Sequence, residues 1–425
     1  MIIINRQYMS KPLTLPIIIT ALLFSTSACS NQSATDTNAD LAKYQEAETS
    51  VADVASTDKP AFTTKAVATF DEPWAMTALP KVDNKPLRLL VTQKTGELFI
   101  VNTATGAKTA VVGIPKVAYG GQGGLGDIIL APDFTTSSYV YISYVEAGKG
   151  VDNNKFGAKV IKAKLSGLDT DKPSLREIAP IWEQFPKVKG QGHYSHRLLF
   201  SPDGQYLYIS SGERQEKNPA QDMTVNLGKI IRLNTDGSMP MDNPFVNNND
   251  IAAQFWSIGH RNVLGMAFNS KGQLWAHEMG PRGGDEFNLI EKGKNYGWPI
   301  VSNGRNYSGV DIPDHSTRPE LEAPKITWTP VISPSSISMY STGKHNDFPA
   351  WQGNALISGL SSKALIVVKF DKDNTANERY RYDMGERIRS VLVVDGQVWG
   401  LEDGNDGDLL QLLPQYQLIS TILFT

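Results

Sequence analysis

Cysteine is nearly absent from this chain of 425 residues, in which Cys29 stands alone. A single cysteine excludes disulfides within the chain, so a packed core must stabilise the fold. An excess of positive charge is missing too. The net charge is −3 and no basic stripe is present, which argues against nucleic-acid binding. Hydrophobic residues make up 40% of the chain, as expected for a globular protein with a sizeable core.

Sustained helical periodicity is also missing, and short alternating runs take its place. LRLLVTQKTGELFIVN, LLFSPDGQYLYISSG and RSVLVVDGQVWGLED each join apolar alternation to a TG or DG turn, which is typical of β-hairpins. Such units recur about every 40–60 residues, the length of a four-stranded propeller blade. The sequence therefore predicts an all-β fold, a six-bladed β-propeller of four-stranded antiparallel blades. We expect the strand near Ala66 to Phe70 to close the ring against the last blade.

The N-terminus carries the signals of export. Two cations precede the apolar run Leu13 to Phe24, which is shorter than the ~20 residues of a membrane helix. The segment STSAC follows and ends at Cys29, as in a bacterial lipoprotein cleavage site. An ordinary signal peptide that is cut nearby is the alternative. We predict that Cys29 is lipidated and anchors the mature protein to the membrane on the periplasmic side of the cell envelope.

Three segments follow from this interpretation. Residues 1–28 form the signal peptide, and residues 29–63 form the lipidated cysteine and a flexible tether. The tether is rich in Ala, Ser, Thr, Asp and Asn and has almost no large apolar side chains, so it cannot form a core of its own. Residues 64–425 form the six-bladed propeller domain, and we expect a monomer.

The most unusual segment is GPRGGDEFNLIEKGKNYGWP, Gly280 to Pro299, which follows GHRN at Gly259 to Asn262. Its glycines allow a positive φ and a close approach of the backbone to a ligand. Asp285 and Glu286 stand between glycine turns, where carboxylates and free carbonyls could hold a hard cation such as Ca²⁺. The arginine and asparagine of GHRN suit recognition of a carboxylate or carbonyl. A solvated glycine-rich surface loop is the alternative.

Further segments occur with this one in a fixed order. They are PWAMTAL at Pro73, GQGGLGDIILAPDF at Gly121, GHYSHRLLFSPDG at Gly192, AQDMTVNLGKIIRLNTDG at Ala220 and GERIRSV at Gly385. Together they resemble the soluble PQQ-dependent aldose sugar dehydrogenases, the glucose/sorbosone dehydrogenase family, in the family's order. The resemblance runs from about Pro73 to Pro414. It implies an oxidoreductase that binds PQQ and Ca²⁺ and oxidises an aldose substrate.

The resemblance places His193, in GHYSHRLLF, at the family's catalytic base. A positioned histidine is the usual base for an alcohol proton. The resemblance implies that His193 takes the proton of the anomeric hydroxyl while the sugar C1 passes a hydride to PQQ. Arg261 and Ca²⁺ are expected to stabilise the charge on the quinone oxygen. The product would be a lactone, and the electron acceptor is unknown. Without the resemblance, a structural histidine would be the better interpretation.

The cofactor contacts follow from the same resemblance. PQQ is a planar tricarboxylate, so its site must supply fixed cations. The family contacts to cofactor or substrate correspond here to Gln122, Arg261, Asn262, Tyr307, Arg387 and Arg389. The last two alternate in ERIRS, so on a strand they point to the same face. A buried tyrosine of the propeller core is the alternative for Tyr307.

One position departs from the family pattern. The family commonly has a lysine that pairs with PQQ just before the strand ALIVVKF, and here SGLSSKALIV puts Ser361 in that place. Lys363 lies two residues further on the same strand face, so it could substitute. This departure puts the cofactor affinity in question.

Two metal sites are implied as well. The resemblance places the carbonyls of Gly280 and Pro281 at a cofactor-bound Ca²⁺, and proline suits this role because it has no N–H. It places Glu286 and the Tyr296 carbonyl at a second, structural Ca²⁺.

Two other classes of protein remain open. A propeller lactonase or hydrolase would use a channel Ca²⁺ as Lewis acid and would need inward carboxylate and Asn ligands, not three arginines. A non-catalytic propeller that binds a protein or glycan at the cell surface would bind no quinone and would tolerate the loss of His193.

Overall fold

The structure is a computed structural model that describes residues 61–248 and 250–415. The predicted signal peptide, Cys29 and most of the predicted tether lie outside the described residues. Within these ranges no helix is long and apolar enough to cross a membrane. The helical segments described are single short turns, namely Phe134–Ser137 (α) and Gly150–Asp152, Asn218–Gln221, Ala252–Gln254, His315–Thr317 and Pro349–Trp351 (3-10).

Six four-stranded antiparallel sheets account for all strands of the described residues, which confirms the predicted propeller. In each of the first five blades the four strands are consecutive in the chain. Neighbouring strands are joined by a hairpin turn or by a longer loop. Blades 1 and 2 contain β2 (Pro73–Ala78), β3 (Arg88–Gln93), β4 (Leu98–Asn102), β5 (Lys108–Val111), β6 (Leu125–Leu130), β7 (Tyr139–Ala147), β8 (Phe156–Ser166) and β9 (Ser174–Glu183). Blades 3 and 4 contain β10 (Ser195–Phe200), β11 (Tyr206–Ser211), β12 (Lys229–Asn234), β13 (Phe255–Ile258), β14 (Val263–Phe268), β15 (Leu274–Glu278), β16 (Asp285–Ile290) and β17 (Ile326–Trp328).

The last two blades show how the ring closes. Blade 5 contains β18 (Pro334–Met339), β19 (Ala355–Gly359), β20 (Ala364–Phe370) and β21 (Ala376–Asp383), and blade 6 contains β22 (Ile388–Val394), β23 (Gln397–Glu402), β24 (Gly407–Pro414) and β1 (Phe62–Phe70). The first strand of the propeller pairs with the last, from Phe62 opposite Pro414 to Phe70 opposite Gly407. The predicted closure is therefore confirmed, and β1 begins slightly before the predicted boundary at residue 64.

Aromatic packing holds this closure together. Phe62 is buried, and its ring lies 5.4 Å from that of Tyr382, 5.9 Å from Trp351 and 6.1 Å from Phe348, all in edge-on contacts. Phe348 and Trp351 stack at 4.1 Å. Loss of such a buried ring costs about 3–5 kcal/mol, so Phe62 fastens blade 6 to blade 5.

The innermost strands position the site. They are β2, β6, β10, β14, β18 and β22, each of which contacts the next around the ring. Since they run in the same direction, all six begin at one end of the central channel. Each also has a register shift against its neighbour at its first residues, as at Ser195–Leu198 in β10 and Val263–Gly265 in β14. Such bulges redirect side chains next to binding sites, and the predicted site residues collect at this end.

Candidate active site

A buried histidine–carboxylate pair lies where blade 3 begins. His193 precedes β10 with a φ of 47°, and its ring Nδ1 contacts a carboxylate oxygen of Glu213, which follows β11. The His193 side chain is 9% exposed and that of Glu213 is 1% exposed. Because Glu213 occupies Nδ1, Nε2 is the ring nitrogen that can meet a substrate.

The loop that carries His193 is fixed from two sides. Arg214 places its guanidinium 3.7 Å from the Tyr194 ring and donates to the carbonyls of Gly192 and Gly190 at 2.9 and 2.8 Å. On the other side, the backbone N–H of His193 donates to Oε1 of Gln122 at 2.7 Å. The predicted polar contact Gln122 therefore positions the histidine through its backbone.

Burial and charge keep His193 neutral. Burial lowers the pKa of His193 below its usual value near 6.5; the hydrogen bond that His193 donates to Glu213 opposes this effect, and the charge of Arg261 adds to it. Burial is the largest influence on the pKa of Glu213 and would raise it, but the contact with His193, the hydrogen bond from the Lys217 N–H and the charge of Arg261 together lower the pKa. A neutral imidazole beside an ionised carboxylate is the arrangement that a general base needs.

Arg261 begins blade 4 and faces the same place. Its backbone N–H donates to Glu278 Oε2 at 2.5 Å, and Glu278 Oε1 lies 3.0 Å from Nδ1 of His260. Its guanidinium donates to the carbonyls of Met279 and Gly280 at 2.8 and 2.6 Å. Its Nε is buried without a hydrogen-bond partner among the described residues. A buried guanidinium with a spare donor is suited to an anionic or carbonyl ligand.

A cavity of about 380 Å³ opens at the channel mouth. Arg387 and Arg389 line it from the start of β22, and both donate to Asp403, each through Nε at 2.8 Å. This shared partner confirms that the two arginines lie on one face. Burial would raise the pKa of Asp403, but Arg389 and Arg387 outweigh burial and lower it. Two arginines against one ionised carboxylate leave a net positive charge, which suits an anionic ligand.

An aromatic stack closes the floor of this cavity. The Trp74 ring lies 4.9 Å from that of His196, nearly parallel, and the guanidinium of Arg197 lies 3.8 Å from the same tryptophan. Burial lowers the pKa of His196 to about 3, so it stays neutral. Arg197 donates to the carbonyls of Leu264 and Ser335, both at 2.8 Å. The stack therefore separates the channel mouth from the interior of the propeller.

A second cavity of about 260 Å³, here called the cleft, opens beside His193. Glu213, Arg261, Pro281 and Tyr307 also line it. Tyr307 is 75% exposed, so the alternative of a buried core tyrosine is wrong. The cleft thus brings together predicted residues from four separate sequence segments, at His193, Arg261, Pro281 and Tyr307.

Three predicted cofactor residues lie elsewhere. Lys363 does not continue a strand from Ser361, because both lie in the turn before β20 and Lys363 has a φ of 50°. The expectation that they share a strand face is therefore wrong. The Lys363 ammonium donates to the Gly385 carbonyl at 2.9 Å, Ser361 Oγ donates to the Val331 carbonyl at 3.1 Å, and neither residue lines a cavity described above. Asn262 is buried and accepts a hydrogen bond from Ser195 Oγ at 3.0 Å.

The predicted structural metal site falls in a buried acidic cluster. Burial, and after it the charge of Glu278, raise the pKa of Glu286 well above its usual value. Asn288 donates to Glu286 at 3.1 Å while its own Oδ1 is buried without a partner among the described residues. Two carboxylates beside a spare amide oxygen fit a hard cation. The Tyr296 carbonyl, in contrast, lies 3.2 Å from Nε2 of His315.

Other observations limit the metal predictions. In the part of the chain that is described, no group of three or more His, Cys, Asp or Glu residues is arranged to hold a metal ion. The carbonyl of Gly280 already accepts the Arg261 hydrogen bond, whereas Pro281 lines the cleft. Asp285 accepts from the N–H groups of Gly280 and Ser333 at 2.8 and 2.7 Å, so it shapes the turn.

Sequence reasoning missed two carboxylates of the site. Glu213 lies twenty residues after His193 and Asp403 lies fourteen after Arg389, so no local spacing pairs them. Each carboxylate follows the second strand of its blade, and that strand ends at the site. The two carboxylates could therefore have been found only by assigning each strand its place within a blade.

The chain is similar to known proteins over most of its length. The family model described as Glucose / Sorbosone dehydrogenase matches residues 70–411. Aldose sugar dehydrogenase YliI of Escherichia coli (strain K12) is 38% identical over 352 residues, which cover 81% of this chain and 91% of that protein.

Two solved structures share the fold. The apo-form of the soluble aldose sugar dehydrogenase from Escherichia coli superposes with a TM-score of 0.74 at 36% identity, covering 83% of this chain and 100% of that one. The PQQ-bound aldose sugar dehydrogenase from Streptomyces coelicolor gives 0.67 at 26% identity, covering 84% and 99%. The chain therefore belongs to the glucose/sorbosone dehydrogenase family of enzymes.

Proposed function

We propose that this protein oxidises the anomeric C1 hydroxyl of aldose sugars to lactones with PQQ as cofactor. The observation that carries the proposal is the His193–Glu213 pair in a cleft that it shares with Arg261, next to a positively charged cavity. Relatives named as aldose sugar dehydrogenases, one of them in a PQQ-bound form, support the same substrate and cofactor.

The residues present fit a tricarboxylate quinone. Arg387 and Arg389 supply net positive charge at the channel mouth, and the buried Nε of Arg261 has a hydrogen bond left to donate. Gln122 and Tyr307 would complete the contacts at the rim. Bound PQQ would supply the electrophilic carbonyl carbon that accepts a hydride and two electrons.

His193 performs the proton transfer in this proposal. Its neutral Nε2 takes the proton of the anomeric hydroxyl, and the ionised Glu213 stabilises the imidazolium that forms. The aldose thereby loses a proton from its hydroxyl and a hydride from C1 and becomes the lactone. Arg261 would present its guanidinium to the quinone oxygen of bound PQQ and so favour negative charge there.

Calcium belongs to the proposal at two places. Glu286, with Glu278 and the free Oδ1 of Asn288, offers the oxygen ligands that Ca²⁺ prefers. The carbonyls of Gly280 and Pro281 are proposed to hold a Ca²⁺ that polarises the cofactor. An ion at Gly280 would compete with the Arg261 hydrogen bond to its carbonyl.

The cellular setting is proposed from the N-terminal sequence. A lipid on Cys29 would anchor a monomeric propeller to the membrane, on the periplasmic side, by a tether that ends near residue 63. The electrons would pass to an acceptor on that side of the membrane.

Reconstitution tests the proposal. The protein from Ser30 onward is mixed with PQQ and Ca²⁺, and reduction of an artificial electron-accepting dye is followed with a panel of aldoses. Sugar-dependent reduction that needs both PQQ and Ca²⁺ is expected. His193→Ala should lower kcat by at least ~10² while PQQ stays bound.

The control replaces a histidine at the opposite end of the propeller. His345 lies in the loop after β18, so His345→Ala should keep wild-type turnover. Near-normal turnover of His193→Ala would remove His193 from this role. No turnover and no spectral change of PQQ on mixing would favour the non-catalytic binding propeller. Calcium-dependent lactone hydrolysis without PQQ would favour the lactonase.

A further inference from the structure

The charged side chains of the cleft differ in their exposure to solvent. Glu213 is the single carboxylate among the described residues that line it. This carboxylate is turned inward, because it accepts from His193 and from the backbone N–H groups of Gln215 and Lys217. The exposed side chain of Lys217 is therefore the charge that the cleft presents to solvent.

The chain holds Lys217 at the cleft by a strained loop. Arg214, Gln215 and Lys217 have φ values of 63°, 65° and 62°, in the left-handed region that side chains other than glycine rarely adopt. Such strain persists only where surrounding contacts enforce it, and it collects at binding sites. Here Glu213 enforces it through the backbone of Lys217.

The ammonium of Lys217 reaches across the cleft to a neutral partner. Nζ donates to Oδ1 of Asn306 at 2.8 Å, which links the loop of blade 3 to the loop that follows β16 in blade 4. An amide positions the cation but does not neutralise it. Lys217 forms no ion pair with a described residue, and neighbouring Glu216 does not line the cleft. One positioned, unneutralised cation thus stands in the same cleft as the proposed base.

We propose that the cleft favours anionic aldoses, sugars that carry a carboxylate or phosphate away from C1, and that Lys217 binds this anionic group. The inference rests on the proposed function, since it names the class of aldose that His193 would deprotonate. Lysine suits such a group because its compact ammonium offers three rotatable donors to a carboxylate or phosphate. Arg261 is not the selective cation, since the proposed function assigns its remaining donor to the cofactor.

Binding of unreactive sugars tests this without turnover. The methyl glycosides of glucuronate and glucose, here called the glucuronide and the glucoside, have no free anomeric hydroxyl. The reconstituted enzyme therefore cannot oxidise them. Saturation-transfer NMR titrations should show the glucuronide binding about two- to fivefold more tightly, the size of an exposed ion pair. The preference should shrink toward unity at 1 M salt, where the screening length is about 3 Å.

Two variants separate the charge of Lys217 from its bulk. Lys217→Gln removes the cation, and Asn306→Asp keeps the lysine but gives it a carboxylate partner; both should abolish the preference. Lys372→Gln is the matched control, because Lys372 is exposed in the turn after β20, at the opposite end of the propeller. This control should keep the wild-type preference.

Turnover with paired substrates identifies the anion. The ratio of kcat/KM for glucuronate over glucose reports a carboxylate, and that for glucose 6-phosphate over glucose reports a phosphate. Equal binding of glucuronide and glucoside, or a preference that survives in Lys217→Gln, overturns the inference even if neutral aldoses are oxidised. A preference in binding with no oxidation of any aldose supports the anion site and contradicts the proposed dehydrogenase.

Discussion

Replacing Glu213 by glutamine should separate orientation of the base from its charge. Glu213 accepts hydrogen bonds from His193 Nδ1, from the Gln215 N–H at 3.0 Å and from the Lys217 N–H. Glutamine has nearly the same shape, but its amide keeps only one oxygen and carries no charge. The variant therefore removes the charged hydrogen bond from the proposed base and also one acceptor from the loop that carries Gln215 and Lys217, while the strands of the blade are unchanged.

The expected loss follows from the value of that bond. A hydrogen bond to a charged group contributes about 1.5–3 kcal/mol. Because the imidazolium forms as the proton is transferred, this energy is lost from the transition state. At about 1.4 kcal/mol per factor of ten, kcat of Glu213→Gln should fall by about 10- to 150-fold.

The pH profile should move in a defined direction. Burial lowers the pKa of His193 below 6.5 while Glu213 raises it, so without Glu213 the pKa falls further. The acid limb of kcat/KM reports protonation of the base in the free enzyme. The wild-type limb should therefore lie below pH 6.5, and the Glu213→Gln limb should lie at still lower pH. A purely structural defect would lower the plateau without this shift.

Dye reduction from pH 4.5 to 8 measures both effects, and Glu216→Gln serves as control. Glu216 is an exposed carboxylate three residues away on the same loop. The control should keep both the plateau and the limb. A Glu213→Gln plateau within twofold of wild type, or a limb that moves to higher pH, would refute the reasoning.

The remaining predictions concern the metal, the cofactor and the anchor. Glu286→Gln should abolish the rise in Tm that Ca²⁺ gives the wild type. The metal-free variant should be at least as stable as the metal-free wild type, because a buried carboxylate beside Glu278 is removed. A calorimetric scan in which Ca²⁺ raises the Tm of both proteins equally would contradict this prediction. Arg389→Ala should weaken PQQ binding at least tenfold in a spectral titration. Lys363→Ala should change PQQ binding less than about twofold, because the lysine binds the Gly385 carbonyl outside the cavity. A larger loss in Lys363→Ala than in Arg389→Ala would show that Lys363 belongs to the site. Cys29→Ser should release the protein from the membrane fraction, and unchanged fractionation would exclude the lipid.

The propeller was predictable because its signals are local. Each blade is a set of hairpins, and alternation with a two-residue turn is visible within about fifteen residues, as in LLFSPDGQYLYISSG. Closure by β1 was predictable too, since an unpaired strand before blade 1 needs a partner at the other end of the chain. The approximate place of His193 and Arg387 then follows from the strands that they precede.

Positions that depend on turns were less predictable. Arg387 and Arg389 lie on one face because they stand at the start of β22. Ser361 and Lys363 share no strand face because both precede β20 and Lys363 is itself in the left-handed region. A single positive φ reverses which face a side chain takes. The sequence Ser-Ser-Lys does not indicate a left-handed residue, whereas a glycine in place of Lys363 would have indicated one.

Glu213 shows why the chemistry of this site cannot be divided among independent residues. Through one oxygen pair it holds the ring of His193 and the backbone of Lys217, so the proposed base and the proposed anion contact share a carboxylate. The link to Lys217 runs through the main chain and not through its side chain. Changes at the lysine side chain can therefore alter which sugars bind without disturbing the base, whereas a change at Glu213 affects both. The loop between β11 and β12 thus allows substrate preference to vary around a fixed proton acceptor.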